Sequence, residues 1–394
     1  MFYKVKNHNF LQSWFIYSFK LLLFFTIFFC FTPVSFAESN IPSCQKKTPL
    51  KVAVLTAGLQ KNSMTYFSQI LKKLGEDGYV AENNISRTID LRSKSVYKRY
   101  ISDALKGKCL EFPSELSFVY NWEPTVLKDS IESLSSKIAN KEIDLIFALG
   151  DVATKFIAED EIGVPAICFD TNSTDTLKKL AKGKKNVVIV DDSRNIKDDI
   201  ALFHTMFGYT GFGFFRDKNH LYDLYNAYAD VMLFAKEKNF QIKVCEGSFF
   251  DPDEQFARAE FKRCTTELSN ERISAVFLPE MGNGIDIANF YTQLRPLLSK
   301  KIPVISYDSK AQVEAGSLLS VYDPDEYTRA IYAADVIEKL ISNNFNPNAI
   351  ASKKNLSVPL SFGVNLKTAA LVQWRPSFDV LVAVDDIFHT IKSK

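Results

Sequence analysis

The chain alternates between short apolar runs and longer segments whose apolar residues recur every three or four positions. In the first half, Leu50–Leu55, Asp144–Leu149 and Val164–Phe169 are typical of buried strands, and Pro124–Ala139 has the spacing of an amphipathic helix. Short strand–helix connections of this kind favour parallel sheets that helices cover on both faces. The alternation therefore predicts an α/β fold with doubly wound parallel sheets.

The same alternation resumes after Val187–Val190, which we expect to carry the chain into a second lobe. The elements predicted in that lobe are the strands Gly211–Phe215, Gln241–Cys245, Ala275–Leu278 and Ile302–Tyr307, and the helices Ile196–Phe207, Leu221–Lys238, Pro252–Leu268 and Ile285–Leu298.

A chain of 394 residues is too long for one small core, so two lobes are expected. We assign residues 48–192 and 323–350 to lobe 1, and residues 193–322 and 351–394 to lobe 2. Several chain crossings then join the lobes as a multi-strand hinge, and a cleft is expected between them.

The stretch from Lys301 to Leu340 combines a strand, a polar loop, a second strand and a helix. Ile302–Tyr307 and Ser317–Tyr322 are the apolar runs, and Asp323 followed by Pro324 is a typical helix start. In the helix that follows, apolar residues form one stripe with spacings of three and four. Ligands bind beyond the carboxyl ends of strands in such open α/β sheets.

This stretch, together with the tail Val364–Ala369, resembles the ABC-transporter substrate-binding proteins of the tryptophan/tyrosine type, whose lobes have the type I periplasmic-binding fold. The resemblance extends roughly from Pro49 to Phe388. It implies a hinged cleft, an amino acid-like and possibly aromatic ligand, and an ABC permease as partner. The chain departs from the family pattern in the insert Arg92–Pro113, at Tyr322-Asp323-Pro324 and at Gln373-Trp374-Arg375.

The N-terminus has the pattern of an export signal. Lys4, Lys6 and Lys20 precede or flank an apolar run from Leu21 to Phe31, and Ser35-Phe36-Ala37 supplies small residues for cleavage. The pattern predicts a signal peptide over residues 1–37 and a periplasmic product. An uncleaved membrane anchor is the alternative, although the apolar run is shorter than the ~20 residues that a spanning helix needs.

Without residues 1–37, 45 basic side chains face 46 acidic ones. A net charge of −1 gives no electrostatic footprint for nucleic acid. We also expect a monomer whose ligand is a small molecule. The scattered histidines and the cysteine spacing match no zinc site, so neither a metal nor a cofactor is expected.

Five cysteines follow the leader, which fits an oxidising compartment. Cys44 could pair with Cys109 and tether the N-terminal segment, and Cys245 could pair with Cys264 on the next helix. Cys168 lies in an apolar strand and is expected to be a buried, unreactive thiol. Connectivity is not fixed by sequence, so both pairings stay open.

Topology places the candidate ligand contacts just beyond the carboxyl ends of the strands. The residues at these positions are Thr56, Gly58, Gly150, Asp151, Asp170, Thr171 and Asn172 in lobe 1, Arg216, Phe249 and Glu280 in lobe 2, and Asp308, Ser309 and Tyr322 near the hinge.

Chemistry divides these candidates into three roles. Helix N-termini of lobe 1 suit a carboxylate, Glu280 or Asp308 suits an ammonium, and Phe249 or Tyr322 could stack on a ring. The alternative for each polar residue is helix or loop capping.

The predicted function is that of an exported solute-binding protein that serves an ABC importer. A ligand-sensing module for a membrane receptor is the alternative. No paired nucleophile and base, metal cluster or phosphate loop supports an enzyme, so no catalytic residue is assigned.

Overall fold

The computed structural model describes residues 48–58, 61–80, 109–120, 124–171, 174–190, 196–307, 309–322, 326–346 and 360–392. The predicted leader, Cys44, Asn172 and Asp308 lie outside these ranges. Within them, none of the helices has the length and apolar content to cross a bilayer.

The first sheet consists of six parallel strands from the N-terminal half. Its order is β2-β1-β4-β5-β6, and β3 pairs with the second half of β1. The strands are β1 (Leu50–Thr56), β2 (Leu110–Glu111), β3 (Ser117–Val119), β4 (Leu145–Leu149), β5 (Ala166–Phe169) and β6 (Val187–Ile189).

Helices cover both faces of this sheet, and one of them comes from far along the chain. The local helices are α1 (Lys61–Glu76), α2 (Pro124–Ala139), α3 (Asp151–Glu159) and α4 (Thr174–Leu180).

The fifth helix against the first sheet is α11 (Glu326–Ser342), which packs against α1. Its buried residues Ala330, Ala334, Ile337 and Leu340 join the same core as Phe67 of α1. The apolar stripe that the sequence showed in this helix therefore closes the first core.

The second sheet has seven strands in the order β13-β12-β11-β10-β9-β7-β8. Neighbouring strands are parallel except for the β11–β12 pair. The strands are β7 (Gly211–Asp217), β8 (Gln241–Gly247), β9 (Ala275–Leu278), β10 (Val304–Ser306), β11 (Leu319–Tyr322), β12 (Ser361–Asn365) and β13 (Asp386–Phe388).

Eight helices accompany the second sheet in the described chain. They are α5 (Ile196–Phe207), α6 (Tyr222–Tyr225), α7 (Tyr228–Lys238), α8 (Glu254–Ser269), α9 (Phe290–Ser299), α10 (Lys310–Glu314), α12 (Leu366–Leu371) and α13 (Phe378–Ala383). The tail thus returns to the second sheet and adds β12 and β13 at its edge.

The order of elements takes the chain between the two sheets three times: from β6 to α5, from β11 to α11, and from α11 to β12. The connecting residues themselves lie outside the described ranges. Repeated crossings are what the hinged two-lobe architecture requires, while the exact lobe boundaries stay a prediction.

The predicted helix Leu221–Lys238 is wrong as one continuous helix. The structure breaks it into α6 and α7 at Ala227, whose φ of 48° lies in the left-handed region. The sequence has no glycine or proline at this point to signal the break.

The cysteines fall into two classes. Cys245 on β8 and Cys264 on α8 form a disulfide, one of the two pairings that the sequence left open. Cys109 is also disulfide-bonded, and its predicted partner Cys44 lies outside the described residues. Cys168 on β5 is a free, buried thiol, and burial raises its pKa to about 12, which agrees with an unreactive role.

A cluster of charged groups lies where α11 packs on α1. Burial, together with the neighbouring carboxylate of Asp77, raises the pKa of Glu338 to about 8. Asp335 on the same helix adds to this effect, whereas Lys73 of α1 opposes it and forms an ion pair with Asp77. Glu338 therefore keeps its proton to a higher pH than an ordinary glutamate does.

Candidate functional site

Three neighbouring strands of the first sheet end in line. Thr56, Leu149 and Phe169 are aligned across β1, β4 and β5. The loops that follow them leave from the same edge, which we call the first edge: Thr56–Gly58, Gly150–Val152 and Asp170–Thr171. The topological prediction for these residues therefore places them side by side.

Two contacts fix the backbone of this edge. The buried Thr56 hydroxyl donates to the Gly58 carbonyl, 3.1 Å away, and holds the first loop in a tight turn. The Gly150 N–H donates to the Phe169 carbonyl at 2.9 Å. Gly150 has a φ of 82°, which a side chain at this position would strain, and α3 begins immediately after it.

Acidic and basic side chains meet at the first edge. Asp151, the first residue of α3, is 1% exposed, and Thr171 is fully buried. Asp170 has a left-handed backbone and pairs with Arg329 of α11, whose guanidinium lies 4.0 Å from the centre of the Tyr66 ring. The helix from late in the sequence therefore contributes a charged group to this edge.

We call the carboxyl edge of the second sheet the second edge. The carboxyl ends of β7 and β8 form part of it. Arg216 binds Asp223 through its guanidinium and Glu246 at 2.8 Å, and lies 4.4 Å from the Tyr228 ring centre. The hydrogen bonds to Asp223 raise the pKa of Arg216, so its guanidinium stays charged. Three partners within its own lobe thus hold the Arg216 side chain.

Asp217 is a structural carboxylate at the second edge. It is 4% exposed and accepts hydrogen bonds from the backbone N–H groups of Asn219 at 2.7 Å, Phe249 at 2.7 Å and Phe250 at 3.3 Å. Burial raises its pKa against the opposing effect of these three donors. Asp217 therefore joins the loops that follow β7 and β8.

The two aromatic candidates also have partners inside lobe 2. Phe249 is fully buried and packs against Phe215 and Phe261, so the structure places its ring in the core. Tyr322 is 2% exposed, and its hydroxyl donates to Asp386 on β13. Stacking of either ring on a ligand stays a prediction that these placements do not favour.

Ser309 follows β10 and caps a helix. Its hydroxyl accepts the Gln312 N–H at 3.2 Å at the start of α10, and its own N–H donates to the Ser320 hydroxyl. This is the capping role that the sequence left open for the polar candidates. Asn172 and Asp308 lie outside the described residues.

Tyr225 is a tyrosine whose pKa is affected by groups from both edges. Its phenol interacts electrostatically with Glu280 and Tyr307 of the second edge and with Asp170 and Asp151 of the first. Burial, reinforced by these neighbours, raises the pKa of Tyr225 well above its ordinary value, so the hydroxyl stays protonated. Sequence reasoning missed this residue because it assigned Tyr225 to core packing on an unbroken helix.

Other contacts join the lobes beside Tyr225. The Thr176 hydroxyl of α4 donates to both carboxylate oxygens of Asp230 on α7, at 2.8 and 3.1 Å. Leu221, which precedes α6, packs against the hydrophobic cluster of the first sheet. The segment around α6 therefore links lobe 2 to lobe 1.

The described residues of the two edges include carboxylates and a phenol. They are Asp151, Asp170, which is paired with Arg329, Glu280 and Tyr225. Within the described ranges, no group of three or more His, Cys, Asp or Glu side chains could hold a metal ion.

Several solved structures are similar to this chain. A conserved domain protein from Vibrio cholerae superposes with a TM-score of 0.56 at 14% identity, over 87% of this chain and 100% of that one. The ABC domain in complex with L-Trp from Streptococcus pneumonia gives 0.55 at 15% identity, over 86% and 100%. A leucine-binding protein from Thermotoga maritima gives 0.51 at 15% identity, over 77% and 86%.

The chain has the type I periplasmic-binding-protein fold. This confirms the predicted fold class: two parallel-dominated α/β sheets with helices on their faces. No protein-family model and no curated protein sequence matches the chain.

Proposed function

We propose that this protein is a solute-binding protein that captures an amino acid-like ligand between its lobes and delivers it to an ABC importer. The observation that carries the proposal is the two-sheet fold, in which the acidic residues Asp151 and Asp170 of lobe 1 and Glu280 of lobe 2 follow the carboxyl ends of their strands. The ammonium of an amino acid needs acidic acceptors when it is buried, because an unpaired buried cation costs several kcal/mol.

The proposed mechanism is a difference in ligand affinity between the open and the closed state of the protein. A ligand that contacts both edges gains all of its contacts only when the lobes close, so binding shifts the open–closed equilibrium toward the closed form. Crossings of the chain at three places allow the lobes to rotate as bodies without separating. The importer would then recognise the closed form.

Two similar proteins support an amino acid as the ligand class. The Streptococcus pneumonia structure contains L-Trp, and the Thermotoga maritima protein is a leucine-binding protein. The acidic residues Asp151, Asp170 and Glu280 of the two edges fit the ammonium that these ligands share. An aromatic side chain is the more specific form of the proposal, in keeping with the L-Trp of the Streptococcus pneumonia structure.

A thermal-shift panel of the twenty L-amino acids, nucleosides and vitamins tests the proposal. We expect one or a few amino acids to raise the melting temperature, since a ligand that binds only the folded state stabilises it. Small-angle scattering with that amino acid should show a smaller radius. Stabilisation by nucleosides alone would overturn the ligand class, and tight binding without compaction would overturn the hinged mechanism.

Glu280 is the acid proposed to accept the ammonium from the side of lobe 2. Glu280→Ala should lower the affinity for the best amino acid by roughly 2–5 kcal/mol and leave the melting temperature of the ligand-free protein nearly unchanged. Glu246→Ala is the matched control, because Glu246 is half-exposed and pairs with Arg216. Equal affinities for the parent and both variants would move the ammonium site to Asp308.

Export to the periplasm is part of the proposal. It rests on the basic, apolar and small-residue pattern of residues 1–37. Intact-mass measurement of the protein after expression with its own leader should give a product that begins near Glu38 in the periplasmic fraction. A full-length product in the membrane fraction would support the anchor instead.

A further inference from the structure

The hydrogen bond between Thr176 and Asp230 connects helices of different cores. α4, which carries Thr176, contacts α3 and β6, whereas α7, which carries Asp230, contacts α5 and β8. The Thr176 hydroxyl donates to both carboxylate oxygens of Asp230, at 2.8 and 3.1 Å, and the contact is partly buried. It therefore crosses from lobe 1 to lobe 2.

Both side chains lie near the start of their helices. α4 begins at Thr174, shortly after the Asp170–Thr171 loop of the first edge, and Thr176 is in its first turn. Asp230 is in the first turn of α7. The Arg216 guanidinium, at the end of β7, lies 4.4 Å from the ring centre of Tyr228, which places the start of α7 at the second edge. The hydrogen bond thus joins the two edges.

An apolar contact accompanies this hydrogen bond. Leu221, which precedes α6, packs against the buried cluster that contains Ala153 and Ile157 of α3, and α6 itself contacts α3. A polar and an apolar contact therefore hold the same two lobes together beside the crossing from β6 to α5.

The pairing of Thr176 differs from that of other helical threonines in lobe 2. The hydroxyls of Thr205 on α5 and Thr266 on α8 donate to the carbonyls of Ala201 and Lys262, four residues earlier in the same helix. Such bonds are satisfied locally whatever the neighbouring lobe does. The bond from Thr176 exists only while α4 and α7 are adjacent.

We propose that the hydrogen bond between Thr176 and Asp230 is a closure contact, which stabilises the closed form and sets ligand affinity without touching the ligand. The inference rests on the proposed function, in which the lobes rotate relative to each other. When α7 moves away from α4, water replaces each group as the partner of the other. A hydrogen bond to an ionised carboxylate is among the stronger ones, so its loss should shift the open–closed equilibrium about tenfold.

A closure contact has a signature that a ligand contact lacks. It acts on the apparent affinity only through the fraction of the protein that is closed. Its loss therefore weakens the binding of every ligand by the same factor, whereas a side chain that touches the ligand discriminates between ligands.

The test compares Thr176→Val, which removes the hydroxyl and keeps the shape of the side chain, with the parent. L-tryptophan, L-leucine and the amino acid that gives the largest thermal shift are titrated by calorimetry. Each should bind about tenfold more weakly to the variant, with factors that agree within about twofold. Thr176→Ser keeps a hydroxyl and should restore most of the affinity. Thr205→Val is the matched control and should bind like the parent.

A double-mutant cycle identifies the partner. Asp230→Ala alone should cause the same loss as Thr176→Val, and the double variant should lose no more than either, because all three lack the same contact. If the ligand-free parent is already closed, part of the shift appears instead as a larger radius of the ligand-free Thr176→Val variant in small-angle scattering.

The contrary outcomes are distinct. Unchanged affinity together with an unchanged ligand-free radius, losses that differ between the amino acids, or additive losses in the double variant would overturn the closure contact and leave the proposed function standing. Failure of the parent to bind any of the amino acids would overturn the amino acid form of the proposed function and the inference that rests on it.

Discussion

The two strand-end edges of this protein use similar residue types in different ways. At the second edge, Asp217 accepts three backbone hydrogen bonds and Arg216 has two carboxylates and a ring as partners. At the first edge, Gly150 opens a helix, Asp151 begins it, and the buried Tyr120 hydroxyl has no partner in the described chain. Asp217 and Arg216 are thus held by contacts within their own lobe, whereas the Tyr120 hydroxyl is one of several buried polar atoms, in both lobes, without a partner in the described chain.

This difference shows what strand-end topology determines. Topology fixes that a residue lies at the rim, because the carboxyl ends of parallel strands meet there. It does not fix whether the side chain is used within the lobe, which depends on partners from distant parts of the sequence. Asp386, which accepts a hydrogen bond from the Tyr322 hydroxyl, is such a partner and comes from the tail of the chain.

The largest expected effect comes from removing the carboxylate that joins the loops of the second edge. Asp217→Ala leaves three backbone N–H groups without their acceptor, and we expect the free energy of unfolding to fall by about 4 kcal/mol. Urea denaturation of the parent and the variant measures this loss in the free energy of unfolding. The control Asp253→Ala removes the exposed N-cap of α8 and should cost about 1 kcal/mol. Equal costs would mean that the second edge is no more committed than an ordinary helix cap.

The next effect concerns the disulfide that ties β8 to α8 behind the second edge. Replacing Cys245 and Cys264 together by alanine should lower the free energy of unfolding by about 3 kcal/mol, as expected for a loop of this size. Cys168→Ala, which changes the free thiol of the first sheet, should cost only about 1 kcal/mol. If Cys168→Ala cost more than the loss of the Cys245–Cys264 disulfide, the first sheet would be the more tightly constrained of the two.

The smallest expected effect is a pH-dependent change in stability where α11 packs on α1. The pKa of Glu338 is raised from 4.5 to about 8, so its contribution to stability is present below pH 4.5 and is lost as the pH rises through 8. Glu338→Gln imitates the protonated form and should be more stable than the parent at pH 9 by about 1 kcal/mol, after allowance for solvent screening. At pH 4 the two proteins should be alike.

Denaturation curves at pH 4, 7 and 9 check this sign. Glu132→Gln on α2 is the control, because Glu132 is exposed and pairs only with the exposed Lys128 in the described chain. Parallel pH profiles for the parent and Glu338→Gln would show that the carboxylate pair does not couple to folding.

Most of the fold was predictable from the sequence because periodicity reports burial directly. The predicted helices Pro124–Ala139 and Ile196–Phe207 and the predicted strand Ala275–Leu278 have the bounds found in the structure. The break at Ala227 was not predictable, since tertiary contacts impose a left-handed backbone on a residue that does not favour it.

The candidate site was predictable at the level of its rim and not at the level of its contacts. Thr56, Gly58, Gly150, Asp151, Asp170, Thr171 and Glu280 lie at the expected edges, and their roles in binding stay predictions. Tyr225 was not among the predicted site residues, because it lies inside the predicted helix Leu221–Lys238, which the structure breaks at Ala227. The electrostatic neighbours that single it out exist only in three dimensions.

The crossing of α11 back onto the first sheet has a consequence for the order of assembly. During synthesis, the strands of the first sheet emerge early, but the helix that seals one of its faces against α1 is completed only at Ser342. Until then the apolar side chains of α1, such as Phe67 and Ile70, lack their native cover. Contacts between such distant parts of a chain form slowly. The nascent protein therefore cannot complete its first core until most of the chain has been synthesised.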